Sequence, residues 1–430
     1  MLPDKADVLV IGGGAAGLMA SISAADAGCD VVCIEKNEKL GKKIYITGKG
    51  RCNFTNACDT EDIFSQVVTN AKFLYSCIYG FSNHDVINWF SEHGLNSHVE
   101  RGGRLFPDSE KASDVTKTLE KACRDAGVRI CLDTEADALL TDPDKEKVIG
   151  VRLKDGHEIG AKTVVVATGG VSYPSTGSTG DGYRMASACG HRVTELKPAL
   201  TGIQTREDFV RQMQGLTLIN TDQRILDVRD GKEKCLLKGF GEILFTHFGV
   251  SGPTMLTASS ILGDTLRERE LILVLDIKPA LDRKQLDARL LREIDQNGKK
   301  SIANIMRSLL PKSMIPVLLK RIGIDEEKRG LDLTRDERLA IVDGIKDFRL
   351  TLIGTRDFNE AVITRGGIDV KQIDPHTMES KIISGLYFAG EVIDVDALTG
   401  GYNLQIAWST GHAAGTAAGV ETNVRSVDVR

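Results

Sequence analysis

Apolar runs that end in glycine-rich turns predict buried strands at both ends of the chain. Near the start, the apolar residues 8–11 precede three glycines, and the small residues that follow predict a helix. A second apolar run, VVCI, then ends at Glu35. This order of strand, turn, helix and strand predicts a βαβ unit, which is typical of α/β proteins with a parallel sheet.

The middle of the chain follows a different pattern. A hairpin with an Asp-Gly turn leads into a buried strand at 163–167, and short β-like runs begin near residue 193. Charged amphipathic helices come next, strands return after them, and the last segment again shows a strand, a glycine turn and a small-residue helix. We therefore predict one domain that is interrupted by an insert with a helical part. The domain is 1–192 and 365–430, the insert is 193–278 and 346–364, and its helical part is 279–345.

The first glycine turn has the spacing Gly12-x-Gly14-x-x-Gly17, and Glu35 follows 18 residues later. Such a turn lets the backbone approach a diphosphate, and the helix after it directs free N–H groups at the phosphates. In dinucleotide-binding βαβ units, an acidic residue at that distance holds the ribose hydroxyls of the ligand. A glycine turn without a ligand is the alternative, but the acid in register favours dinucleotide binding.

Composition narrows the class of protein. Hydrophobic residues make up 41% and charged residues 27% of the 430 positions, which fits a folded α/β protein. The net charge of -5 gives no general attraction to nucleic acid or to an anionic membrane. The sequence contains no run of about 18 apolar residues, so we predict no membrane span. Nine scattered cysteines argue against a disulfide framework and favour a reducing compartment, so we expect a cytoplasmic protein.

One short segment, residues 36–51, is strongly basic and contains only Glu38 as an acid. Phosphate neutralisation and a solvated loop both explain such a segment. Its basic residues are Lys36, Lys39, Lys42, Lys43, Lys49 and Arg51.

The spacings typical of zinc sites, serine-hydrolase elbows and P-loops do not occur in the sequence, so we predict no metal site.

A second glycine turn near the end of the sequence decides between cofactors. Gly390 and Glu391 follow the apolar run LYFA, and GGYN at 400–403 opens a helix rich in Ala and Gly. A carboxylate here can hold the ribityl or diphosphate region of FAD, and the helix N-terminus can stabilise negative charge on a reduced flavin. NAD would not need this second element, so we predict FAD. Packing alone is the other explanation of the turn.

Several longer motifs resemble those of the BaiN/RdsA-type bacterial flavoproteins. They are KLGKKIYITGKGRCNFTN, GGRLFP, ATGGVSYPSTGSTGDGY, GEILFTHFGVSGP, TRGGI and GLYFAGEVIDVDALTGGYNLQIA. The resemblance covers nearly the whole chain, although the helical insert shows no signature. It implies an α/β fold in which a Rossmann-like FAD-binding domain is interrupted by a β-barrel-like domain that carries a helical subdomain.

The resemblance also implies which residues contact FAD. They lie in the first glycine turn, after the second strand, in the loop that follows it, at the end of strand 163–167 and in the C-terminal element. In chain order they are Gly12, Gly14, Ala15, Ala16, Gly17, Glu35, Lys36, Lys42, Thr47, Gly48, Gly50, Arg51, Cys52, Asn53, Ala167, Thr168, Gly169, Gly390, Glu391, Asp396, Gly401, Tyr402, Asn403 and Leu404.

The chemistry that the resemblance implies is reduction of a polarised C=C bond by hydride from flavin N5. The first choice of acceptor is a steroid-like enone such as a bile-acid intermediate. The alternatives are uridine C5=C6 in ribosomal RNA, amine oxidation with O2, and flavin binding without turnover. NAD(P)H is the implied transient electron donor, although no second GxGxxG follows a strand. The expected partners are a small-molecule substrate or ribosomal RNA, with no membrane.

Three residues are candidates for proton transfer to or from the substrate. Cys52 lies beside Arg51, which can lower the pKa of a thiol. His247 lies near a Gly-Pro turn and suits a general acid. Tyr173, in the ATGGVSYP loop, can stack on a ring or donate its phenol. A packed thiol, a hydrogen-bonded structural histidine and simple loop packing are the alternatives.

Overall fold

A computed structural model describes residues 2–144 and 146–427. Contacts divide the chain into two compact units, Met1–Pro198 with Phe358–Arg430, and Ala199–Asp357. The second unit thus interrupts the first in sequence, and each unit has its own hydrophobic core.

The elements are numbered in chain order. The strands are β1 (Lys5–Ile11), β2 (Val31–Ile34), β3 (Thr55–Asn56), β4 (Val67–Thr69), β5 (Ser97–Val99), β6 (Arg104–Pro107), β7 (Arg129–Cys131), β8 (Ala136–Thr141), β9 (Val148–Leu153), β10 (Glu158–Val166), β11 (Lys197–Ala199), β12 (Ile203–Thr205), β13 (Thr217–Arg229), β14 (Lys232–Phe245), β15 (Gly249–Ser251), β16 (Leu271–Asp276), β17 (Phe348–Thr355), β18 (Ile363–Arg365), β19 (Leu386–Phe388) and β20 (Asp396–Ala397). The α-helices are α1 (Ala15–Asp26), α2 (Lys42–Ile46), α3 (Thr60–Gln66), α4 (Tyr75–Gly80), α5 (Asn83–Glu92), α6 (Ala112–Asp125), α7 (Asp181–Ala188), α8 (Pro253–Glu268), α9 (Arg283–Asn297), α10 (Ile302–Ile305), α11 (Met314–Arg321), α12 (Arg335–Lys346) and α13 (Tyr402–Val427).

The first unit is built on a seven-stranded sheet in the order β7-β2-β1-β10-β9-β8, and β19 also pairs with β10. The strands β7, β2, β1, β10 and β19 are parallel, whereas β8 and β9 add an antiparallel edge. Val8, Leu9 and Val10 of β1 are completely buried, as expected for a central strand covered on both faces. The predicted βαβ unit is therefore confirmed as the centre of a Rossmann-like sheet.

Helices from the two ends of the chain pack backbone against backbone in this unit. A methyl group at Gly411 in α13 would lie 2.4 Å from the carbonyl oxygen of Ala16 in α1. A methyl group at Gly415 would lie 2.2 Å from the carbonyl oxygen of Ala20. Both distances are shorter than any carbon–oxygen contact, so the two helices approach closely only because these positions are glycine. The small-residue pattern of α13 thus sets its distance from α1.

The second unit contains a closed barrel in the strand order β12-β15-β14-β13-β16-β17. Its helices share one core with the barrel: Leu286 and Leu290 of α9 are buried in the same cluster as Leu273 of β16 and Leu350 of β17. This barrel confirms the inserted β-barrel-like domain. The helical segment 279–345 is packed onto the barrel as part of one compact unit.

The structure places the borders of the insert differently from the sequence prediction, which ends the first domain at 192 and resumes it at 365. The backbone carbonyl of Phe358 accepts a hydrogen bond from Tyr173 N at 3.0 Å. Thr364 N donates to Glu391 at 2.8 Å. These bonds join residues 358–364 to the first unit.

Among the described residues, none of the helices combines the length and apolar composition needed to cross a bilayer.

We expect Gly415→Ala to destabilise the first unit by about 2 kcal/mol, because the added methyl group forces α13 away from α1. Gly80→Ala is the matched control, since a methyl group there meets nothing within 4 Å. The control variant should stay within about 0.5 kcal/mol of the parent. Urea unfolding of both variants measures the difference, and equal stabilities would contradict the close contact.

Candidate functional site

A cleft opens in the first unit where β1, β2 and β10 end. The first glycine turn, the residues after β2 and the start of α13 all face it. The predicted residues that line it are Gly12, Gly14, Ala15, Ala16, Glu35, Lys36, Lys42, Thr47, Ala167, Thr168, Gly169, Gly390, Glu391, Asn403 and Leu404. The structure therefore brings together residues that are separated by almost the full length of the sequence.

The glycine turn leaves space and donors for a ligand. Gly12 has a φ of 107°, and a methyl group there would lie 2.5 Å from the carbonyl oxygen of Ala167. Gly14 precedes the first turn of α1, and a methyl group there would meet no protein atom within 4 Å. A side chain at Gly14 would instead occupy the cleft itself. The N-terminal N–H groups of α1 and its dipole favour a negatively charged group at this point.

Glu35 is held in place by donors from two segments. One carboxylate oxygen accepts Gly13 N at 2.8 Å, and the other accepts both the backbone N (2.9 Å) and the side-chain Nδ2 (2.6 Å) of Asn37. The side chain is buried and lines the cleft. The oxygen bonded to Gly13 can accept a further hydrogen bond. This is the arrangement needed to hold a ribose hydroxyl.

Glu391 is the centre of a second group of polar side chains. Its Oε1 accepts Ser172 Oγ at 2.7 Å and Thr364 N at 2.8 Å, and its Oε2 accepts Lys43 Nζ at 2.5 Å. Lys43 also donates to Ser172 Oγ at 2.6 Å. The sequence prediction named Lys43 only as one of the basic residues that phosphate neutralisation could explain, and it did not include Ser172 or Thr364. All three lie inside the motifs that carried the resemblance, but no spacing rule connects them to Glu391.

The chemistry of the lining fits a dinucleotide. Within the described part of the chain, the space above Gly14 is free of protein atoms, and Glu35 keeps one acceptor that no protein donor uses. A ligand with phosphates and hydroxyls would use the space above Gly14 and occupy the free acceptor of Glu35.

The family described as the HI0933-like protein Rossmann domain matches residues 6–417. The chain belongs to this family. A 3-dehydro-bile acid delta(4,6)-reductase from Clostridium scindens is 31% identical over 412 residues, which are 95% of this chain and 98% of that protein. A ribosomal RNA dihydrouridine synthase from Haemophilus influenzae is 31% identical over 407 residues, which are 94% of this chain and 96% of that protein.

Solved structures share the fold. A 3-ketosteroid delta1-dehydrogenase from Sterolibacterium denitrificans gives a TM-score of 0.54 at 13% identity, covering 97% of this chain and 100% of that chain. A flavocytochrome c3 fumarate reductase in an open conformation gives a TM-score of 0.50 at 18% identity, covering 98% of this chain and 79% of that chain. These identities establish the fold alone. Membership of the HI0933-like family and the cleft together make the chain an FAD-dependent oxidoreductase, so the predicted family, the oxidoreductase class and the FAD cofactor are confirmed.

The remaining predicted contacts lie outside the lining of the cleft in this HI0933-like chain. They are Gly17, Gly48, Gly50, Arg51, Cys52, Asn53, Asp396, Gly401 and Tyr402. Asp396 is completely buried and pairs with Arg365 at 3.1 Å, and Asn53 accepts Leu105 N at 3.1 Å. A methyl group at Gly401 would lie 2.3 Å from the carbonyl oxygen of Thr55. These residues support the elements around the cleft, and their contact with FAD stays a prediction.

The basic segment 36–51 is largely neutralised by acids. Lys36 pairs with Asp181 at 2.6 Å, and Lys42 pairs with Glu38 at 2.6 Å. Arg51 bonds two carboxylates, Glu100 at 2.8 Å and Glu110 at 2.7 Å. Lys43 pairs with Glu391 as well, whereas Lys39 and Lys49 are exposed and form no ion pair within the described residues.

Cys52 does not have the properties of a reactive thiol. It is completely buried, and burial raises the pKa of its thiol to about 12. The adjacent Arg51 guanidinium lies over the Phe106 ring at 4.0 Å and bonds carboxylates, so it does not stabilise a thiolate. The expected lowering of the Cys52 pKa by Arg51 is thus wrong, and the packed-thiol alternative fits the structure.

The other two catalytic candidates stay predictions. His247 is exposed in the loop between β14 and β15 of the second unit, with its ring 5.1 Å from that of Phe248. Tyr173 is half-buried and has a φ of 49°. It does not line the cleft, although its neighbour Ser172 bonds Glu391.

We expect Glu35→Ala to weaken FAD binding at least about tenfold, because a prepositioned acceptor for the ribose is lost. Cys52→Ala is the control and should change the affinity less than about threefold, since it removes only a packed thiol. Titration of FAD into protein freed of its cofactor, followed by flavin fluorescence, gives both affinities. Equal affinities would refute the role of Glu35.

Proposed function

We propose that this HI0933-like protein reduces an electron-poor C=C bond, with a steroid-like enone as its first candidate substrate. The observation that carries the proposal is that two relatives of equal identity, aligned over nearly their full length, are named for reactions that saturate a conjugated double bond. Their substrates differ greatly in size, so the shared element is the reaction.

FAD supplies a hydride equivalent at N5 when it is bound and reduced. In such a reduction one carbon of the double bond would take up the hydride, and the other carbon would take up a proton. The chain would retain the cofactor through Glu35, the turn before α1 and the polar group around Glu391. Glu35 and Glu391 are already fixed by protein donors in the structure, so neither needs reorientation when FAD binds.

NAD(P)H is the proposed source of electrons, docking transiently at the flavin. The cytoplasm is the proposed compartment. All nine cysteines have free thiols, which fits a reducing environment.

The decisive experiment is anaerobic stopped-flow mixing of the purified protein with NADH or NADPH. We expect one of them to bleach the flavin absorbance. Mixing the reduced protein with a 3-oxo-steroid enone should then restore the absorbance faster than mixing with buffer. Reoxidation by O2 alone would point to an oxidase, and reoxidation no faster than that of free flavin with any acceptor would contradict catalysis.

A second candidate substrate is uridine in ribosomal RNA. Residues 296–324 contain no acid, and their six basic side chains are all exposed and form no ion pair within the described residues. These are Lys299, Lys300, Arg307, Lys312, Lys320 and Arg321. However, Ala303 N donates to the carbonyl of Glu326 at 3.2 Å, which brings an acidic turn against the same helices. The enone therefore remains the first candidate.

For the RNA candidate, we expect the affinity for a ribosomal RNA fragment to fall by about 10³ or more between 50 and 200 mM salt. Lys312→Glu with Lys320→Glu should reduce the slope of this salt dependence, because both side chains are exposed, Lys312 just before α11 and Lys320 within it. The matched control is Lys39→Glu, on an exposed lysine of the first unit. A shallow dependence of the RNA affinity on salt concentration, or a dependence that is unchanged in the double variant, would argue against this candidate.

A further inference from the structure

The ammonium group of Lys43 is fixed at the edge of the cleft with one donor to spare. Two of its three N–H groups point to Glu391 and Ser172, at 2.5 and 2.6 Å. Among the described residues no third acceptor bonds it, and the side chain lines the cleft. An ammonium with a free N–H beside a cavity can donate to a ligand that enters it.

Lys43 and Glu391 also lie next to the turn that precedes α1. Gly41 N, directly before α2, donates to the carbonyl of Gly13 at 2.8 Å. A methyl group at Gly390 would lie 2.8 Å from Cβ of Ala16. The segments that carry Lys43 and Glu391 are therefore both in contact with the residues that attract a diphosphate.

A carboxylate at this position would repel phosphates if it were alone. The Glu391 side chain is only 11% exposed, so water would screen its charge poorly. Ser172 and Thr364 donate hydrogen bonds to it but carry no charge. Among the residues that the structure describes, Lys43 is the one cationic group bonded to this carboxylate.

We propose that Lys43 binds the diphosphate of FAD, and that Glu391 is a positioning residue that holds the Lys43 ammonium in place. Removal of Lys43 then has two effects: it deletes a donor to the phosphates, and it exposes them to an uncompensated carboxylate. Removal of the Glu391 charge as well eliminates the second effect. The proposal concerns cofactor retention and holds for any substrate, so it can fail while the proposed reaction stands.

The test uses full-length protein freed of FAD and measures its affinity for FAD and for ADP, which carries the diphosphate without the flavin. We expect Lys43→Met to weaken both ligands by a similar factor, about 30-fold or more. Adding Glu391→Gln to Lys43→Met should recover about fivefold for both ligands. Lys39→Met, an exposed lysine outside the cleft, should bind both ligands like the parent.

Several results would overturn the proposal. Unchanged affinity in Lys43→Met would do so, as would a loss confined to FAD, which would place Lys43 against the flavin. A double variant that binds no better than Lys43→Met would show that Lys43 does not act by neutralising the charge of Glu391. If Lys43→Met fails to fold, the double variant is compared with Glu391→Gln alone. It must then bind FAD and ADP at least about twofold more weakly, because it lacks the Lys43 donor.

Discussion

Close approach of backbone to backbone around the start of α1 is the constraint on which the rest of this structure depends. A methyl group at Gly17 would lie 1.8 Å from the carbonyl oxygen of Gly12, and one at Gly411 would lie 2.4 Å from that of Ala16. The first contact closes the turn against its own helix, and the second brings the C-terminal helix against it. Both segments consequently face one cleft, although they come from opposite ends of the sequence.

The carboxylates of Glu35 and Glu391, which line this cleft, are both hydrogen-bonded by the protein itself. Glu35 is held by backbone and amide donors, whereas Glu391 is neutralised by a lysine. The different partners suit different ligand groups: an acid with a free lone pair suits ribose hydroxyls, and an ammonium suits phosphates. In the neighbouring basic segment, Lys36, Lys42 and Arg51 are also paired with acids.

The sequence predicted the parts of the fold that depend on local pattern. The strand, glycine turn, helix and acid of the βαβ unit were recognisable because each has its own period or residue type. The closure of the barrel was available only from family resemblance, since short alternating runs do not specify which strands pair. The pairing of Lys43 with Glu391, 348 positions apart, could not be read from spacing. The environment of Cys52 was misjudged because the direction of the Arg51 side chain depends on acids that lie 49 and 59 residues further along the chain.

The central claim is that the two ends of the chain form one site for one adenine-containing flavin. The most direct test is to denature the purified protein and to identify and quantify the released cofactor by chromatography and mass spectrometry. The account predicts one FAD per chain. Colourless protein that takes up no FAD on incubation, or protein that releases only FMN, would contradict it.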